Sequence, residues 1–386
     1  MSSRPSNRAR VATALFVLVA ASRLLAGPLS PPIGPVTSTG KTTSEVEPRT
    51  IVNATNTPGD GNNVYVISQS GSYYLAGNML ANTTTGVISI NASDVTLDLS
   101  GFTIDTLNAN GLRISGDRVT IRNGTLICRQ TGAFGLNVFA SAEGTQIERM
   151  NISMATTGNT GIYTASGAGR VVVSDCKITG GTNGVYTASD FTSLSVNNVI
   201  VEGTTADGIN AGNKANITNC TVSNCGTAGT PASVGIRVAS DAVVRNCTVT
   251  DTLPGSSVGP GRGIQAAGIG VMIEGCTVYS NGPVAMEIRS ASTVRNNTIN
   301  QRGAGTVILV VASGTRNFIA DNHVISGNFG VGVQLGATSA NTVVRNYIAG
   351  AASPVAGTNL ISNIVGAYLL NGGPVTEMSP HANYVN

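Results

Sequence analysis

The sequence predicts an all-β chain wound into a single-stranded right-handed parallel β-helix, a solenoid of about eleven rungs with a cap at each end. Three observations predict it: a strand repeat of about two dozen residues, an Asn or Asp at a fixed place in most repeats, and few charges. Charged residues make up 11% of the 386 residues, against about 25% in ordinary globular proteins. The formal net charge of +3 leaves the chain without the strong basic balance of a nucleic-acid binder, so we expect no nucleic-acid partner.

The repeat is the strongest observation. Its first strands begin, usually just after a glycine, at Ile88, Leu112, Leu136, Ile162, Val185, Ile209, Ile236, Ile264, Met286, Ile308 and Val331. Alternating side chains predict strands with one buried face. Such spacing leaves room for three short strands in each rung, and we expect neighbouring rungs to lie about 4.8 Å apart.

A second motif predicts a corner in each rung. It begins with an apolar residue, as in Ile121-Arg122-Asn123, and its third position holds Asn123, Arg149, Asp175, Asn198, Asn219, Asn246, Gly275, Asn296, Asp321 and Asn346. Asn, Asp and Gly accept left-handed backbone angles that other residues resist, so this position predicts a tight turn between two strands. Equivalent amide side chains can also hydrogen-bond along the stack.

Other repeat folds fit the sequence less well. Leucine-rich repeats share the period but need the L-x-x-L-x-L pattern, which the chain lacks. A propeller blade needs a longer repeat and usually has aromatic signatures. The period and the corner residue together select the parallel β-helix.

The N-terminus has the features of an export signal. The first ten residues contain three arginines, an apolar run follows from Val11 to Ala21, and Ala26-Gly27 offers a cleavage point. The run is too short to span a bilayer, although an uncleaved anchor is the alternative. We expect residues 1–26 to be a signal peptide and the protein to be secreted, extracellular or at the cell surface, with the periplasm as an alternative.

Composition then divides the remaining chain. Residues 27–62 are rich in Pro, Ser and Thr, which predicts an extended leader. Residues 63–350 form the predicted β-helix, and residues 351–386 break the repeat and predict a C-terminal cap. Because open ends expose strand edges, we expect residues 63–80 to close the N-terminal end. No later segment is apolar for long enough to predict a transmembrane helix after signal cleavage.

The six cysteines predict core packing. Cys176, Cys220, Cys247 and Cys276 each follow the corner position, so they share one column. Cβ atoms in such a column lie about 4.8 Å apart, beyond the roughly 3.5–4.5 Å of a disulfide, so we expect free thiols despite the exported context. Cys128 and Cys225 lie outside the column, and their pairing stays open. Neither His323 nor His381 is near the column in sequence, and we expect no metal or cofactor.

Outward residues of the first strands form the candidate ligand-binding surface. This ladder consists of Ser89, Arg113, Asn137, Tyr163, Tyr186, Asn210, Arg237, Gln265, Glu287, Leu309 and Gly332, and Phe139 and Arg289 lie on a second outward ladder beside it. Aromatic faces pack against sugar C–H groups, and cations and amides bond hydroxyls or carboxylates. The candidate site residues are Arg113, Asn137, Tyr163, Tyr186, Asn210, Arg237, Glu287 and Arg289. A solvated sheet without a ligand carries the same residue types and is the alternative.

Two other polar patterns have simpler explanations. The middle strands carry alternating charges at Asp98, Arg122 and Glu148 and again at Arg245, Glu274 and Arg295, which predicts cross-strand ion pairs. Asp94, Asp117 and Glu143 fall in one turn on three successive rungs and form a weak candidate Ca²⁺ site. A local turn role for aspartate is the simpler explanation of that cluster.

From Ile88 to Ala349 the rungs resemble the right-handed β-helix repeat family, related in fold to pectin lyases and polygalacturonases. Three segments, residues 27–41, 56–60 and 379–384, are similar to a narrower group of exported β-helix proteins of planctomycete-type bacteria, a group without an established activity. The resemblance therefore implies a fold and export, but no reaction.

The enzymes of this fold supply a test. Polygalacturonases carry Asn-Thr-Asp, Asp-Asp, Gly-His-Gly and Arg-Ile-Lys motifs, of which only Ala206 to Asn210 is similar to the first and Glu287-Ile288-Arg289 distantly to the last. Asp207 and Glu287 are three rungs apart, about 14 Å, whereas glycoside hydrolysis needs carboxyls about 5–9.5 Å apart. We therefore expect a structural and binding protein whose partner is a polysaccharide or cell-surface glycan. A polysaccharide lyase or glycoside hydrolase is the alternative.

Overall fold

The computed structural model confirms the all-β prediction, because the described part of the chain contains no α-helix. It describes residues 47–386 apart from 83–85, 109, 156–157, 189–192, 227–232, 254–260, 280–281, 302–304, 328–329, 337–339, 358–363, 366–367, 370–382 and 386. The predicted signal peptide and most of the predicted leader lie outside the described residues. No helix among the described residues is long and apolar enough to cross a membrane.

One parallel sheet, here called the first sheet, contains the predicted first strands. Its 13 strands are Asn63–Ile67, Gly86–Ile90, Asn110–Ile114, Phe134–Val138, Thr160–Thr164, Asn183–Thr187, Ile209–Ala211, Val234–Val238, Arg262–Ala266, Val284–Ile288, Thr306–Val310, Val331–Leu335 and Ser353–Gly357. All eleven predicted strands are present, and one further strand extends the sheet at each end. The strand Ser353–Gly357 lies in the range assigned by sequence to the C-terminal cap and pairs with Val331–Leu335.

The other two strands of each rung join one larger second sheet. Its 26 strands are Thr50–Ile51, Gly71–Tyr74, Met79–Ala81, Val95–Asp98, Thr103–Thr106, Thr120–Cys128, Thr145–Met154, Val171–Ser174, Lys177–Gly180, Leu194–Asn197, Ile200–Glu202, Asn216–Thr218, Thr221–Ser223, Val243–Arg245, Thr248–Thr250, Met272–Glu274, Thr277–Tyr279, Thr293–Arg295, Thr298–Gln301, Phe318–Ala320, His323–Ser326, Thr342–Val344, Tyr347–Ala349, Ile364–Val365, Tyr368–Leu369 and Asn383–Val385. The result is a right-handed parallel β-solenoid, as predicted.

Apolar residues of like shape stack through the interior of the solenoid. Ile88, Leu112, Leu136 and Ile162 pair in register on successive strands, and each is fully buried. Parallel pairing places each aliphatic side chain directly over the next, so the core forms continuous columns. This is why the sequence pattern alone fixes the register over most of the chain.

The glycines at the starts of the first strands leave room for the third strands. A Cβ added to Gly111 would lie 2.6 Å from Leu126 and 2.5 Å from the carbonyl oxygen of Gly135. A Cβ on Gly208 would lie 2.4 Å from Val222. The recurring glycine therefore reflects close approach of the chain to a packed aliphatic side chain.

The predicted corner residues adopt positive φ angles, with one correction. Asn123, Arg149, Asp175, Asn198, Asn219, Asn246, Gly275, Asn296 and Asp321 all have φ between 51° and 65°. In the last rung Arg345 takes the corner, with φ 54°, and Asn346 does not. Val343 pairs with Ile319, so the sequence alignment of this rung was wrong by one residue.

The displaced Asn346 belongs to a buried ladder of asparagines. Asn297, Asn322, Asn346 and Asn383 are almost fully buried, and they continue the column occupied by cysteines in earlier rungs. In each step the backbone N–H and Nδ2 donate to Oδ1 of the next asparagine, at 2.9–3.2 Å. The sequence predicted hydrogen bonds along the stack at the corner itself, where Nδ2 of Asn198 donates to Oδ1 of Asp175 at 2.7 Å. The buried ladder of asparagines lies one position further along the chain.

The cysteine column is buried and unpaired, as predicted. All six cysteines are free thiols, including Cys128 and Cys225, whose pairing the sequence left open. Burial raises the pKa of the Cys128, Cys176 and Cys225 thiols to about 11. Hydrogen bonding to Cys247, together with burial, also raises the pKa of Cys220 and Cys276. These thiols therefore act as small hydrophobic side chains with weak local hydrogen bonds.

The N-terminal end is closed by a different segment from the one predicted. Residues 63–80 contribute strands of the first complete rung, because Tyr65 pairs with Ile88 and Tyr73 with Leu97. The closing segment precedes them: Thr50–Ile51 pairs with the second sheet, and Pro58 forms an antiparallel bridge to Tyr65. Residues near position 60 thus cover the edge of the first sheet, although their composition predicted an extended leader.

Candidate functional site

The outward ladder of the first sheet forms one continuous surface, here called the outer strip. From Ser89 to Leu309 every predicted ladder residue pairs with the next in register. The last member is Gln334, because Leu309 pairs with Gln334, and the prediction of Gly332 was wrong by two residues. The strip therefore brings together Arg113, Asn137, Tyr163, Tyr186, Asn210, Arg237 and Glu287. Arg289 lies exposed at the end of the strand that carries Glu287.

Aromatic rings occupy one part of the outer strip. Tyr163 and Tyr186 stack with their centroids 6.0 Å apart and their planes within 9°, and both are half-buried. Phe134 adds a third ring, 4.5 Å from Tyr163. Arg113 lies 4.8 Å over the ring of Phe139. The sequence did not select Phe134, whose only signal is its place at the start of the strand before Asn137.

A hydrogen-bonded charge cluster follows the aromatic rings along the strip. Asp207 accepts hydrogen bonds from Nε and Nη2 of Arg237, at 2.9 and 3.3 Å, and from Nδ2 of Asn210, at 2.8 Å. The backbone N–H of Val234 also donates to Asp207, at 2.9 Å. The carboxylate fixes the guanidinium in one plane and balances its charge.

A second carboxylate lies further along the strip with a different arginine. Glu287 forms an ion pair with Arg262 and accepts a hydrogen bond from Nε2 of Gln265 at 2.7 Å. Arg262 lies at the start of its strand, outside the alternating ladder, and the sequence did not predict its role. Asp207 and Glu287 are thus held by separate arginines. Along the strip, two rungs separate Asn210 from Glu287, and they carry Arg237 and Gln265.

Small residues border the charged part of the strip. On four successive rungs the residue two positions after the strip residue is small: Ala188, Gly212, Ala239 and Ala267. On other rungs the same ladder carries Phe139 and Arg289. They leave a cavity of about 100 Å³, whose lining includes Asn210, Arg237, Ala188, Ala211, Ala239 and Ala267. The outer strip therefore combines stacked rings, paired charges and one small recess.

The charged column of the middle strands forms the predicted ion pairs. Arg122 contacts Asp98 at 3.3 Å, and Glu274 lies between Arg245 and Arg295, at 3.0 and 2.8 Å. Glu148 instead contacts its sequence neighbour Arg149. The pairs of Asp98 and of Glu274 bridge adjacent rungs and account for the alternation of charge there.

The acidic turn is arranged differently from its sequence prediction. The register of the following strands aligns Asp94 with Arg118. Asp117 and Glu143 align with each other at the preceding position of the turn. Arg118 holds Asp94 through two hydrogen bonds, at 2.6 and 2.7 Å, which lowers the pKa of that carboxyl. Within the described ranges no group of three or more His, Cys, Asp or Glu side chains is arranged to hold a metal ion.

Comparison with known families identifies the fold family. The model of the "Right handed beta helix region" family matches residues 66–238 and 232–365. The chain therefore belongs to the right-handed β-helix family. No curated protein matches the chain significantly in sequence.

Solved structures match the chain at low sequence identity. The A-module of the mannuronan C-5 epimerase AlgE6 from Azotobacter vinelandii is 13% identical, with a TM-score of 0.57, and the match covers 82% of this chain and 90% of that chain. The periplasmic alginate epimerase AlgG is 11% identical, with a TM-score of 0.47, covering 86% and 80%. A mannuronic acid specific polysaccharide family 6 lyase from human gut microbiota is 11% identical, with a TM-score of 0.38, covering 81% and 83%.

Proposed function

We propose that this protein is an exported β-helix protein that binds a polysaccharide along its outer strip. The observation that carries the proposal is the stacked pair Tyr163 and Tyr186, continuous with the Asn210 and Arg237 cluster on the same sheet face. Flat rings pack against the C–H faces of sugars, while amide and guanidinium groups bond their hydroxyls. The signal-like N-terminus supports a location outside the cytoplasm, at the cell surface or in the periplasm.

The extended form of the strip favours a polymer over a small ligand. Strip residues recur at the rung spacing of about 4.8 Å. Successive sugar units of one polymer can therefore contact side chains of successive rungs. One protein of this fold is named as a mannuronan epimerase, which makes polysaccharides the first ligand class to test. A cell-surface glycan belongs to the same class.

Binding fits the carboxylates of the strip better than hydrolysis does. Asp207 and Glu287 are each engaged by an arginine, on different rungs, and neither carboxylate has the other as its partner. Glycoside hydrolysis needs a pair of carboxyls about 5–9.5 Å apart on either side of the scissile bond. A lyase or hydrolase on this scaffold is the second candidate, and among the described residues of the strip no pair of carboxyls supports hydrolysis.

The test is retention of the secreted protein on a panel of immobilised polysaccharides. The variant Tyr163→Ala with Tyr186→Ala is expected to lose retention, since each ring buries apolar C–H surface of a sugar at about 25 cal/mol per Å². Tyr347→Ala is the matched control, because this half-exposed tyrosine lies on the second sheet. Unchanged retention of the double variant, with its β-sheet circular dichroism intact, would contradict the proposal. Release of unsaturated or reducing ends from any polymer would favour the enzyme instead.

A further inference from the structure

The cavity beside Asn210 and Arg237 is too small for a sugar ring. Its volume is about 100 Å³. An apolar cavity of about 150 Å³ binds benzene, which has six heavy atoms, so this cavity has room for roughly four. A hexose residue in a polymer has about eleven heavy atoms, more than twice that number. The recess therefore fits a substituent on a sugar, while the ring itself would lie over the outer strip.

The walls of the cavity favour an apolar, uncharged substituent. They are formed largely by alanines, namely Ala188, Ala211, Ala239 and Ala267, with Val238 beside them. Placing a carboxylate or sulfate against methyl groups would cost its hydration. The one cation at the rim, Arg237, already has its charge balanced by Asp207. A methyl-bearing neutral group of three heavy atoms matches both the size and the walls.

Polar groups at the rim suit a carbonyl next to that methyl group. Asn210 lines the cavity and uses one Nδ2 hydrogen bond for Asp207, and a carboxamide nitrogen carries two hydrogens. The second N–H of Asn210 is a donor for a carbonyl oxygen at the rim.

We propose that this cavity receives the acetyl group of an acetylated sugar in the polysaccharide bound along the outer strip, an inference that rests on the proposed function. The methyl group enters the alanine-lined recess, and the carbonyl oxygen accepts from Asn210. An O-acetyl and an N-acetyl group share this chemistry. Only the N-acetyl group has an N–H, and the carboxamide oxygen Oδ1 of Asn210 is an acceptor for it.

The experiment compares matched pairs of polymers that differ only in acetylation. One pair is an O-acetylated xylan and the same xylan after mild alkaline de-O-acetylation, and the other is chitosan before and after N-acetylation. For the full-length secreted protein we expect about tenfold tighter binding to the acetylated member of one pair, since a buried methyl and one hydrogen bond act together. The pair that shows the difference identifies the linkage.

Three variants make the result specific to the cavity. Ala239→Leu fills the recess and is expected to bring the affinity ratio close to one, while Asn210→Ala is expected to lower it about fivefold through the lost hydrogen bond. Ala312→Leu, at an exposed turn outside the lining, should leave the ratio unchanged. Circular dichroism checks that each variant folds.

The outcomes separate the inference from the proposed function. Equal binding of wild type to both members of each pair, or an unchanged ratio in Ala239→Leu, overturns the acetyl subsite and leaves polysaccharide binding standing. Tighter binding to the deacetylated polymers overturns it as well. If the wild type binds no polysaccharide of the panel in either form, both proposals fall.

Discussion

The backbone N–H and the side-chain Nδ2 of Asn322 both donate to Oδ1 of Asn346, at 3.1 and 2.9 Å. The same pattern joins Asn297 to Asn322, and Oδ1 of Asn297 accepts from the backbone of Cys276. Two kinds of buried column, thiols and amides, therefore meet in one continuous stack. The amides satisfy backbone N–H groups that would otherwise be buried without partners.

Removing one amide from the ladder is expected to destabilise the protein. In Asn322→Ala the backbone N–H of Asn297 loses its acceptor inside the core, so we expect the free energy of unfolding to fall by about 3 kcal/mol. Asn151→Ala is the control, since Asn151 is exposed, and its effect should stay within about 0.5 kcal/mol. Urea unfolding measures both. Equal, small effects would show that the ladder does not stabilise the stack.

A glycine at one strained corner should stabilise the protein. Ala291 is exposed and has φ 55°, a left-handed conformation that costs alanine about 1–2 kcal/mol. Allowing for the greater chain entropy of glycine, we expect Ala291→Gly to raise the free energy of unfolding by about 0.5 kcal/mol.

Ala312 provides the matched control for that substitution. It is an exposed turn alanine without a positive φ, so Ala312→Gly should destabilise by about 0.4–1 kcal/mol. Thermal unfolding of the two variants compares the opposite signs. Destabilisation of similar size in both would mean that Ala291 is not strained.

The buried thiols predict a loss of stability in alkali. The pKa of Cys128 is about 11 when folded, against 9.0 for an ordinary thiol, because burial disfavours the thiolate. The contribution of this protonated thiol to the free energy of unfolding is fully present below pH 9.0. It is lost as the pH rises toward about 11, since only the unfolded chain releases the proton in this range. The expected loss is roughly 2–3 kcal/mol for this cysteine.

The variant Cys128→Val isolates this effect from other alkaline titrations. Its free energy of unfolding, measured by urea at neutral and alkaline pH, should fall less steeply with pH than that of the wild type. Identical slopes would contradict the assignment. A thiol reagent should in addition react with the folded protein only as fast as it unfolds, because all six sulfurs are buried.

The pair of Arg118 and Asp94 predicts a local change of pKa. Two hydrogen bonds from the guanidinium lower the pKa of the Asp94 carboxyl, so Arg118→Gln should raise that pKa toward its ordinary value. Carboxyl NMR titration measures the change. Asp105, whose pKa is lowered by Arg129, is the internal control and should titrate as before. An unchanged pKa for Asp94 would mean that the pair does not persist in solution.

The sequence predicted those features that repeat from rung to rung. Parallel pairing forces like residues into columns, so the strands, the corner residues and the outer strip followed from spacing alone. The prediction failed where two alignments were locally possible: Val343 and Val344 are both apolar, and choosing Val344 placed Asn346 at the corner in place of Arg345.

Contacts made by residues outside the columns could not be predicted in this way. Arg262 and Phe134 lie at the starts of strands, where the alternation of inward and outward side chains has not begun. Their contacts with Glu287 and Tyr163 depend on the path of the preceding turns, whose lengths vary between rungs. The candidate site was therefore predicted in its ladder residues and missed in the residues that complete it.

Pro58 covers the N-terminal edge of the first sheet through its bridge to Tyr65. Proline has no N–H to donate, and the segment runs antiparallel to a stack in which every other pairing of the first sheet is parallel. A second molecule cannot add its own strands here in continuation of the coil. The fold thus blocks strand addition at this end of the first sheet, which is the contact through which stacked cross-β rungs extend into fibres.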